Sequence, residues 1–202
     1  MNIAVFASGR GSNFQAIYAH IKSGKINANV RCLISNNPSA PVIGFAKNNR
    51  IQTYIIDAKD DGHSKQLLEV LDKHNTQLIV LAGYMKLIQK NIVKKFHNKI
   101  INIHPSLLPS FGGKGCYGMN VHEKVFKSGV KYTGATVHYV NQNYDEGQII
   151  AQEHISISPE DSAENIATKV LKIEHKLLPE VVKKICENQL YWINNKPWIS
   201  KL

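Results

Sequence analysis

The sequence predicts one α/β domain over residues 1–202, with a mostly parallel sheet covered by helices on both faces and an antiparallel C-terminal hairpin. Short apolar runs alternate with helix-spaced segments from residue 3 to residue 81, in the order β-α-β-α-β-α-β. Such alternation indicates parallel strands joined by helical crossovers. Two β-rich runs near the C-terminus flank a polar loop, which suits a hairpin. A length of 202 residues is enough for one domain with a full core or for two small domains, and we expect one domain.

The first half, about residues 1–100, carries the parallel strands. We predict strands at residues 3–7, 30–34, 53–56 and 78–81, separated by helices at residues 14–21, 41–48 and 64–74. A fifth, β-branched run begins at Ile100 and ends at His104, because Pro105 lacks an N–H and disfavours continuation. This pattern is Rossmann-like, and ligands of such sheets bind beyond the carboxyl ends of the strands.

The second half, about residues 101–202, is predicted to contain a helix at residues 121–127 and strands at residues 132–140 and 148–155. Ser158, followed by a proline and two acidic residues, predicts the N-cap of a last long helix. The tail at residues 191–202 carries Trp192 and Trp198, which we expect to be buried.

Composition excludes several classes of protein. The formal charge of +10 favours anionic partners such as phosphorylated metabolites, polyglutamates or nucleic acid. The apolar runs are too short to cross a membrane, and the N-terminus predicts a strand rather than a signal peptide, so we expect a cytoplasmic protein. The three cysteines have no Cys-x-x-Cys spacing, so we expect reduced thiols and no metal site.

A glycine-rich turn follows the first strand, with the sequence Ser-Gly-Arg-Gly-Ser-Asn at residues 8–13. Unpaired N–H groups and the helix dipole at such a turn favour an anion. The turn lacks the Gly-Lys-Ser/Thr ending of a P-loop and the third glycine of the dinucleotide motif, so a monophosphate suits it better than NAD. A plain turn in which Ser12 or Asn13 caps the helix is the alternative.

Three polar residues are candidates for catalysis. Asn102 and His104 lie two positions apart in a strand, so their side chains share one face. The histidine suits acid/base or electrostatic catalysis, and the asparagine amide could donate to an oxyanion. Asp145, in the polar loop, could orient a histidine. A structural histidine, a capping asparagine and a turn-forming aspartate are the alternatives.

Five segments together resemble the folate-dependent formyltransferase family, and within it the phosphoribosylglycinamide formyltransferases. They are Ser-Gly-Arg-Gly-Ser-Asn at 8–13, Val-Leu-Ala-Gly-Tyr-Met at 80–85, Asn-Ile-His-Pro-Ser-Leu-Leu-Pro at 102–109, Thr-Gly-Ala-Thr-Val-His at 133–138 and Tyr-Asp-Glu-Gly at 144–147. The resemblance covers nearly the whole chain.

The resemblance implies transfer of a formyl group from 10-formyltetrahydrofolate to the amine of 5'-phosphoribosylglycinamide in purine biosynthesis. It implies a phosphate site at Gly11, Ser12 and Asn13, a catalytic trio of Asn102, His104 and Asp145, a glycinamide contact at Glu174, and a folate pocket lined by Met85, Lys86, Leu87, Ile88, Val140, Asn141 and Tyr144. It implies no metal, nucleic-acid or membrane partner, and a monomer or homodimer.

Two related enzymes and one unrelated class are the alternatives. Methionyl-tRNA formyltransferase shares the core motif at residues 102–109, but it has an additional domain for which we expect 202 residues to leave no room. Formyltetrahydrofolate deformylase carries an extra N-terminal domain, whereas here the first predicted strand starts at residue 3. A basic nucleic-acid-binding module would need interleaved aromatic and basic residues, and no such stretch is evident. The resemblance assigns no role to the glycine-rich loop at residues 111–118, to Glu146 or to His63.

Overall fold

The computed structural model describes residues 1–56 and 61–200. The chain divides into two compact units, Met1–Asn102 and Ile103–Leu202. The prediction of a single domain over residues 1–202 stays a prediction.

The first unit is an α/β unit with parallel strands. Its elements are β1 (Asn2–Phe6), α1 (Ser12–Lys22), β2 (Asn29–Ser35), α2 (Val42–Asn48), β3 (Gln52–Ile55), α3 (Asp61–Lys73), β4 (Leu78–Leu81), α4 (Lys90–Lys95) and β5 (Ile100–His104), whose last two residues belong to the second unit. The strand order is β3-β2-β1-β4-β5, and every pair is parallel. The predicted parallel α/β architecture is therefore confirmed.

The central strands of this sheet have continuous apolar sequences because their side chains are buried on both faces of the sheet. Strands β1 and β4 are almost entirely buried, as continuous apolar sequence predicts. Phe6 at the end of β1 is in register with Ile34 of β2 and Leu81 of β4. Three strands thus end at the same level, and the residues that follow them lie close together.

The second unit contains antiparallel strands and two helices, of which the second is long. Its further elements are α5 (Met119–Ser128), β6 (Tyr132–Tyr139), β7 (Ile149–Ser156), α6 (Ala163–Cys186), β8 (Leu190–Ile193) and β9 (Lys196–Ile199). Strands β6 and β7 pair antiparallel, which confirms the predicted hairpin. Helix α6 packs against α5, β6 and β7. Across residues 1–56 and 61–200, no helix combines the length and the apolar character needed to span a membrane.

The last long helix begins four residues later than Ser158 predicts. Its N-cap is Ser162, whose hydroxyl accepts a hydrogen bond from the backbone N–H of Asn165 at 3.2 Å. Residues 158–161 form a turn instead, because the Asp161 carboxylate accepts from the Ser158 N–H at 2.8 Å and from Lys169 Nζ at 2.6 Å. The serine-proline-acid pattern suits a turn as well as a cap, so the prediction was wrong.

The expected burial of the C-terminal tryptophans is also wrong. Trp192 is 43% exposed and Trp198 is 51% exposed. The tail folds into the antiparallel hairpin β8–β9, in which Trp198 pairs with Tyr191. Trp192 stacks on the ring of the buried Tyr139, with centroids 5.7 Å apart, which covers one face of its indole.

The two serines provide a direct test of the helix start. Replacing Ser162 with alanine should lower the free energy of unfolding by about 1 kcal/mol, the usual value of an N-cap hydroxyl. The control Ser158→Ala should cost less than about 0.5 kcal/mol, since its hydroxyl accepts a long, exposed hydrogen bond of 3.5 Å from the Glu160 N–H. Urea denaturation of both variants gives the comparison, and equal losses would contradict the assignment of the cap.

Candidate functional site

Ser8 joins the carboxyl ends of three strands in the first unit. Its backbone N–H donates to the Gly83 carbonyl at 3.0 Å, its hydroxyl donates to Asn36 Oδ1, and that hydroxyl accepts from the Met85 N–H at 2.9 Å. These partners follow β4 and β2, while Ser8 follows β1. One short polar side chain therefore holds the turn that begins at residue 8 in place.

The turn ends at Gly11, which is the N-cap of α1 and has a φ of +72°. A Cβ at this position would lie 2.2 Å from Val42 Cγ2, so only glycine fits. The alternative in which Ser12 or Asn13 caps the helix is wrong. Because Gly11 has no side chain with which to cap the helix, the start of α1 keeps the features of an anion site.

His104, the last residue of β5, is 3% exposed and faces two hydrogen-bond acceptors in the second unit. Its Nε2 lies 3.0 Å from the Phe111 carbonyl oxygen, and its Nδ1 lies 3.5 Å from Asp145 Oδ2. Because a carbonyl oxygen only accepts, this hydrogen bond requires a proton on Nε2. A proton gained by the ring is therefore added at Nδ1, beside the carboxylate.

The Asp145 carboxylate lies between two buried histidines. His138 Nε2 lies 3.7 Å from Oδ1, and the opposite ring nitrogen, Nδ1, hydrogen-bonds the Tyr139 carbonyl at 2.8 Å. The Gly113 N–H donates to Oδ2 at 2.9 Å and orients the carboxylate. In both histidines a backbone carbonyl holds one proton on the distant nitrogen, so a second proton is added next to Asp145.

Burial and charge act in opposite directions on these histidines. Burial lowers the pKa of His104 below its ordinary value, while the Asp145 carboxylate and the Phe111 carbonyl partly offset this effect. The pKa of His138 is also lowered, chiefly by burial, against the Tyr139 carbonyl and Asp145. Burial thus favours the uncharged form of each ring, and the nitrogen next to Asp145 is the atom that can accept a second proton. Acid/base catalysis requires a group of this kind.

The glycine-rich loop reaches this site through its first residues. A Cβ on Gly112 would lie 2.5 Å from Leu108 Cδ2 and 3.2 Å from Asp145 Cβ, so the backbone approaches the carboxylate more closely than a side chain would allow. Phe111 and Asp145 both have φ values of +57°, which is uncommon for residues other than glycine. The two backbones that place these groups are therefore held in a strained region of conformational space.

The other predicted site residues are distributed over both units. Asn102 lies in β5, in register with Leu81, and Glu174 is buried in α6. In the segment after β4, Met85 and Leu87 are exposed, Lys86 is half-buried and Ile88 is buried; in the loop after β6, Val140 and Asn141 are half-buried and Tyr144 is exposed.

His138 and the backbone groups of Phe111 and Gly113 join the site without having been predicted. His138 lies near the end of β6, two positions after Thr136. Strand side chains alternate, so the two residues are expected on the same face. That periodicity could have suggested His138. Nothing in the sequence indicates that a carbonyl and an N–H of a glycine-rich loop would bind a histidine and an aspartate.

Within residues 1–56 and 61–200, no group of three histidine, cysteine or acidic side chains has the arrangement of a metal site. The thiols of Cys32, Cys116 and Cys186 are free, and burial raises the pKa of the Cys32 thiol to about 12.

A sequence profile of the formyl transferase family matches residues 1–182. The chain belongs to the formyl transferase family. Among curated relatives, the phosphoribosylglycinamide formyltransferase of Bacillus subtilis (strain 168) is 41% identical over 96% of this chain and 96% of its own length. The chloroplastic phosphoribosylglycinamide formyltransferase of Arabidopsis thaliana is 41% identical over 94% of this chain and 67% of its own length.

A solved structure has the same fold as this formyl transferase. The crystal structure of phosphoribosylglycinamide formyltransferase from Anaplasma phagocytophilum superposes with a TM-score of 0.89 at 35% identity. The alignment covers 100% of this chain and 95% of that one. The predicted Rossmann-like fold class is thus confirmed.

Acidification should destabilise this formyl transferase through its buried histidines. Burial lowers the pKa of His104, His122 and His138 below the ordinary histidine value of about 6.5, so below about pH 6.5 the unfolded chain binds more protons than the folded one. The free energy of unfolding should therefore fall as the pH drops from 7 to 5. Denaturant unfolding in buffers across this range measures the slope.

A matched pair of variants identifies the source of this slope. Replacing the buried His122 with glutamine should make the slope shallower by up to about 1.4 kcal/mol per pH unit, the value of one proton. Replacing the exposed His97 with glutamine should leave the slope unchanged. A wild-type slope of zero or of the opposite sign would show that burial does not hold these histidines neutral.

Proposed function

We propose that this formyl transferase moves a formyl group from 10-formyltetrahydrofolate to the primary amine of 5'-phosphoribosylglycinamide. The observation that carries the proposal is the pair formed by the buried His104 and by Asp145, with Nδ1 and Oδ2 3.5 Å apart, in a chain of this family. Two relatives named for this activity, one bacterial and one plant, share 41% identity with the chain over nearly its whole length.

The phosphate of the acceptor is assigned to Gly11, Ser12 and Asn13. Three properties support this assignment: the left-handed glycine at the N-cap, the absence of a side-chain cap, and the positive end of the α1 dipole. The formal charge of +10 also favours approach of an anionic substrate. Glu174, a buried carboxylate in α6, is assigned to the glycinamide end, where it would accept hydrogen bonds from amide or amine groups.

Attack by the amine on the formyl carbon forms a C–N bond and places negative charge on the formyl oxygen. The Asn102 amide is assigned as a neutral donor to that oxygen. His104 would act mainly through charge, since its Nε2–H is already bound to the Phe111 carbonyl. When Nδ1 gains a proton, the ring carries a positive charge that stabilises the oxyanion.

Collapse of the tetrahedral adduct breaks the bond to the folate nitrogen. The attacking amine must lose one proton, and the departing nitrogen must gain one. Asp145 is assigned to this transfer through a water molecule, because its carboxylate lies between the two ring nitrogens at which a proton is added. The folate is assigned to residues 85–88 and to Val140, Asn141 and Tyr144, which offer apolar and half-exposed surface.

A donor and acceptor assay tests the proposed activity. The protein is incubated with 10-formyltetrahydrofolate and 5'-phosphoribosylglycinamide, and formylated product is measured by mass spectrometry. Parallel reactions replace the acceptor with initiator methionyl-tRNA, or the donor with formate and ATP. Transfer that requires tRNA, or that proceeds from formate and ATP without folate, would refute the proposal. Release of free formate without an acceptor would indicate a deformylase.

Loss of either member of the central pair should abolish most turnover. His104→Ala and Asp145→Asn should each lower kcat by at least about a hundredfold, the usual effect of losing an acid/base group. The asparagine keeps an oxygen for the Gly113 N–H and removes only the charge. The exposed controls His97→Ala and Asp72→Asn should retain full activity. Near-normal turnover in either site variant would contradict the catalytic role assigned to the residue that was replaced.

The phosphate assignment has its own test at Gly11. An alanine there would clash with Val42 and would be strained at a φ of +72°, so it should displace the start of α1. Loss of a charge-assisted hydrogen bond, worth about 1.5–3 kcal/mol, should raise KM for phosphoribosylglycinamide about tenfold or more. KM for the folate should stay within about threefold.

The matched control is Gly44→Ala in α2, where an added Cβ would meet no atom within 4 Å. This variant should bind both substrates normally, because the added methyl group displaces no neighbour. Alanine also favours the helix more than glycine does. Thermal melting confirms that both proteins are folded. A folded Gly11→Ala enzyme with an unchanged KM for the acceptor would contradict the phosphate site.

A further inference from the structure

The segment that follows His104, residues 105–110, is held against strand β6 by one hydroxyl group. Thr136 Oγ1 donates to the Ser106 carbonyl at 2.7 Å and accepts from the Leu108 N–H at 3.0 Å. Both Thr136 and Ser106 are fully buried. The hydrogen bonds therefore form in a dry environment, where losing one leaves an unpaired backbone group.

The same hydroxyl accepts a further hydrogen bond from the side chain of Gln152 in β7. Gln152 Nε2 lies 3.0 Å from Thr136 Oγ1 and 3.0 Å from the Leu108 carbonyl oxygen. A threonine hydroxyl has one proton to donate and two lone pairs, and all three are used. Such a saturated group specifies one position for the backbone that it binds.

The constraint continues from this hydroxyl to the catalytic histidine. Ser106 Oγ donates to the Ser110 carbonyl at 2.7 Å, and the next residue, Phe111, supplies the carbonyl that binds His104 Nε2 at 3.0 Å. Phe111 has a φ of +57°, a conformation that costs energy for a bulky residue and persists only when its surroundings impose it. The hydrogen bonds of residues 106–110 impose this conformation on Phe111.

We propose that Thr136 is a positioning residue for His104, acting through residues 106–110 to place the Phe111 carbonyl against Nε2. The carbonyl keeps the proton of the neutral ring on Nε2 and leaves Nδ1 to exchange protons beside Asp145. Without the hydroxyl, the carbonyl moves and the ring loses its fixed tautomer. This inference rests on the proposed function for its consequence in catalysis, but its effect on His104 can be measured separately.

The test replaces Thr136 with valine, which has nearly the same shape and no hydroxyl. In the formyl transfer assay Thr136→Val should lower kcat at least about tenfold and alter the pH profile of kcat, since displacement of a catalytic group by about 1 Å costs up to a hundredfold. KM for phosphoribosylglycinamide should change less than about threefold. Thr136→Ser, which restores the hydroxyl, should recover most of the lost activity.

Thr133→Val is the matched control on the same strand. Thr133 is also buried in β6, but its hydroxyl has no hydrogen-bond partner in the part of the chain that the structure describes. This variant should keep wild-type kcat and pH profile. A Thr136→Val enzyme that melts at a lower temperature yet keeps both properties would show a merely structural role and would overturn the inference.

Two further measurements keep the inference testable. If Thr136→Val does not fold, Gln152→Met removes the exposed outer donor instead, and an unchanged kcat and pH profile would overturn the inference. Long-range ¹H–¹⁵N spectra of histidine-labelled protein report the His104 tautomer directly. Wild type should show Nε2–H and Thr136→Val a mixture. This readout remains valid even if the wild-type protein fails to formylate phosphoribosylglycinamide.

Discussion

The arrangement of the second unit depends on one carboxylate placed between two buried histidines. The Asp145 side chain is only 13% exposed, so its charge needs polar partners, and the Gly113 N–H donates to it at 2.9 Å. The two imidazoles that flank it can donate to the carboxylate only after each has gained a second proton. The opposite nitrogens of His104 and His138 hydrogen-bond backbone carbonyls. The protons that can move are therefore confined to the positions next to Asp145, which is the property that acid/base chemistry needs.

This constraint explains why so much of the surrounding backbone is irregular. Phe111 and Asp145 adopt left-handed conformations, and Gly112 approaches the carboxylate where no side chain would fit. Each of these features costs free energy that regular structure would not. The hydroxyl of Thr136 and the buried Ser106 offset that cost by holding the loop with several hydrogen bonds. Strain and polar satisfaction are thus concentrated in the same few residues.

The first unit meets a different demand, which is to present backbone donors rather than side chains. Its strands end in register, and Ser8 ties the ends of three of them together. Gly11 then begins the helix with no side-chain cap. A rigid turn at the positive end of a helix dipole is suited to an anion, whereas mobile lysines could supply only attraction at a distance.

The sequence alone determined the order of strands and helices. Strands buried on both faces of a parallel sheet require continuous apolar runs, whereas the crossover helices require apolar residues at helical spacing. It also determined the glycine turn and the shared face of Asn102 and His104, which follow from local geometry. Only the tertiary structure decided that Ser162 rather than Ser158 caps the last helix, since both serines suit a cap and the choice depends on where the Asp161 carboxylate binds. Only the tertiary structure added His138 to the site, because contacts between distant residues have no local signature.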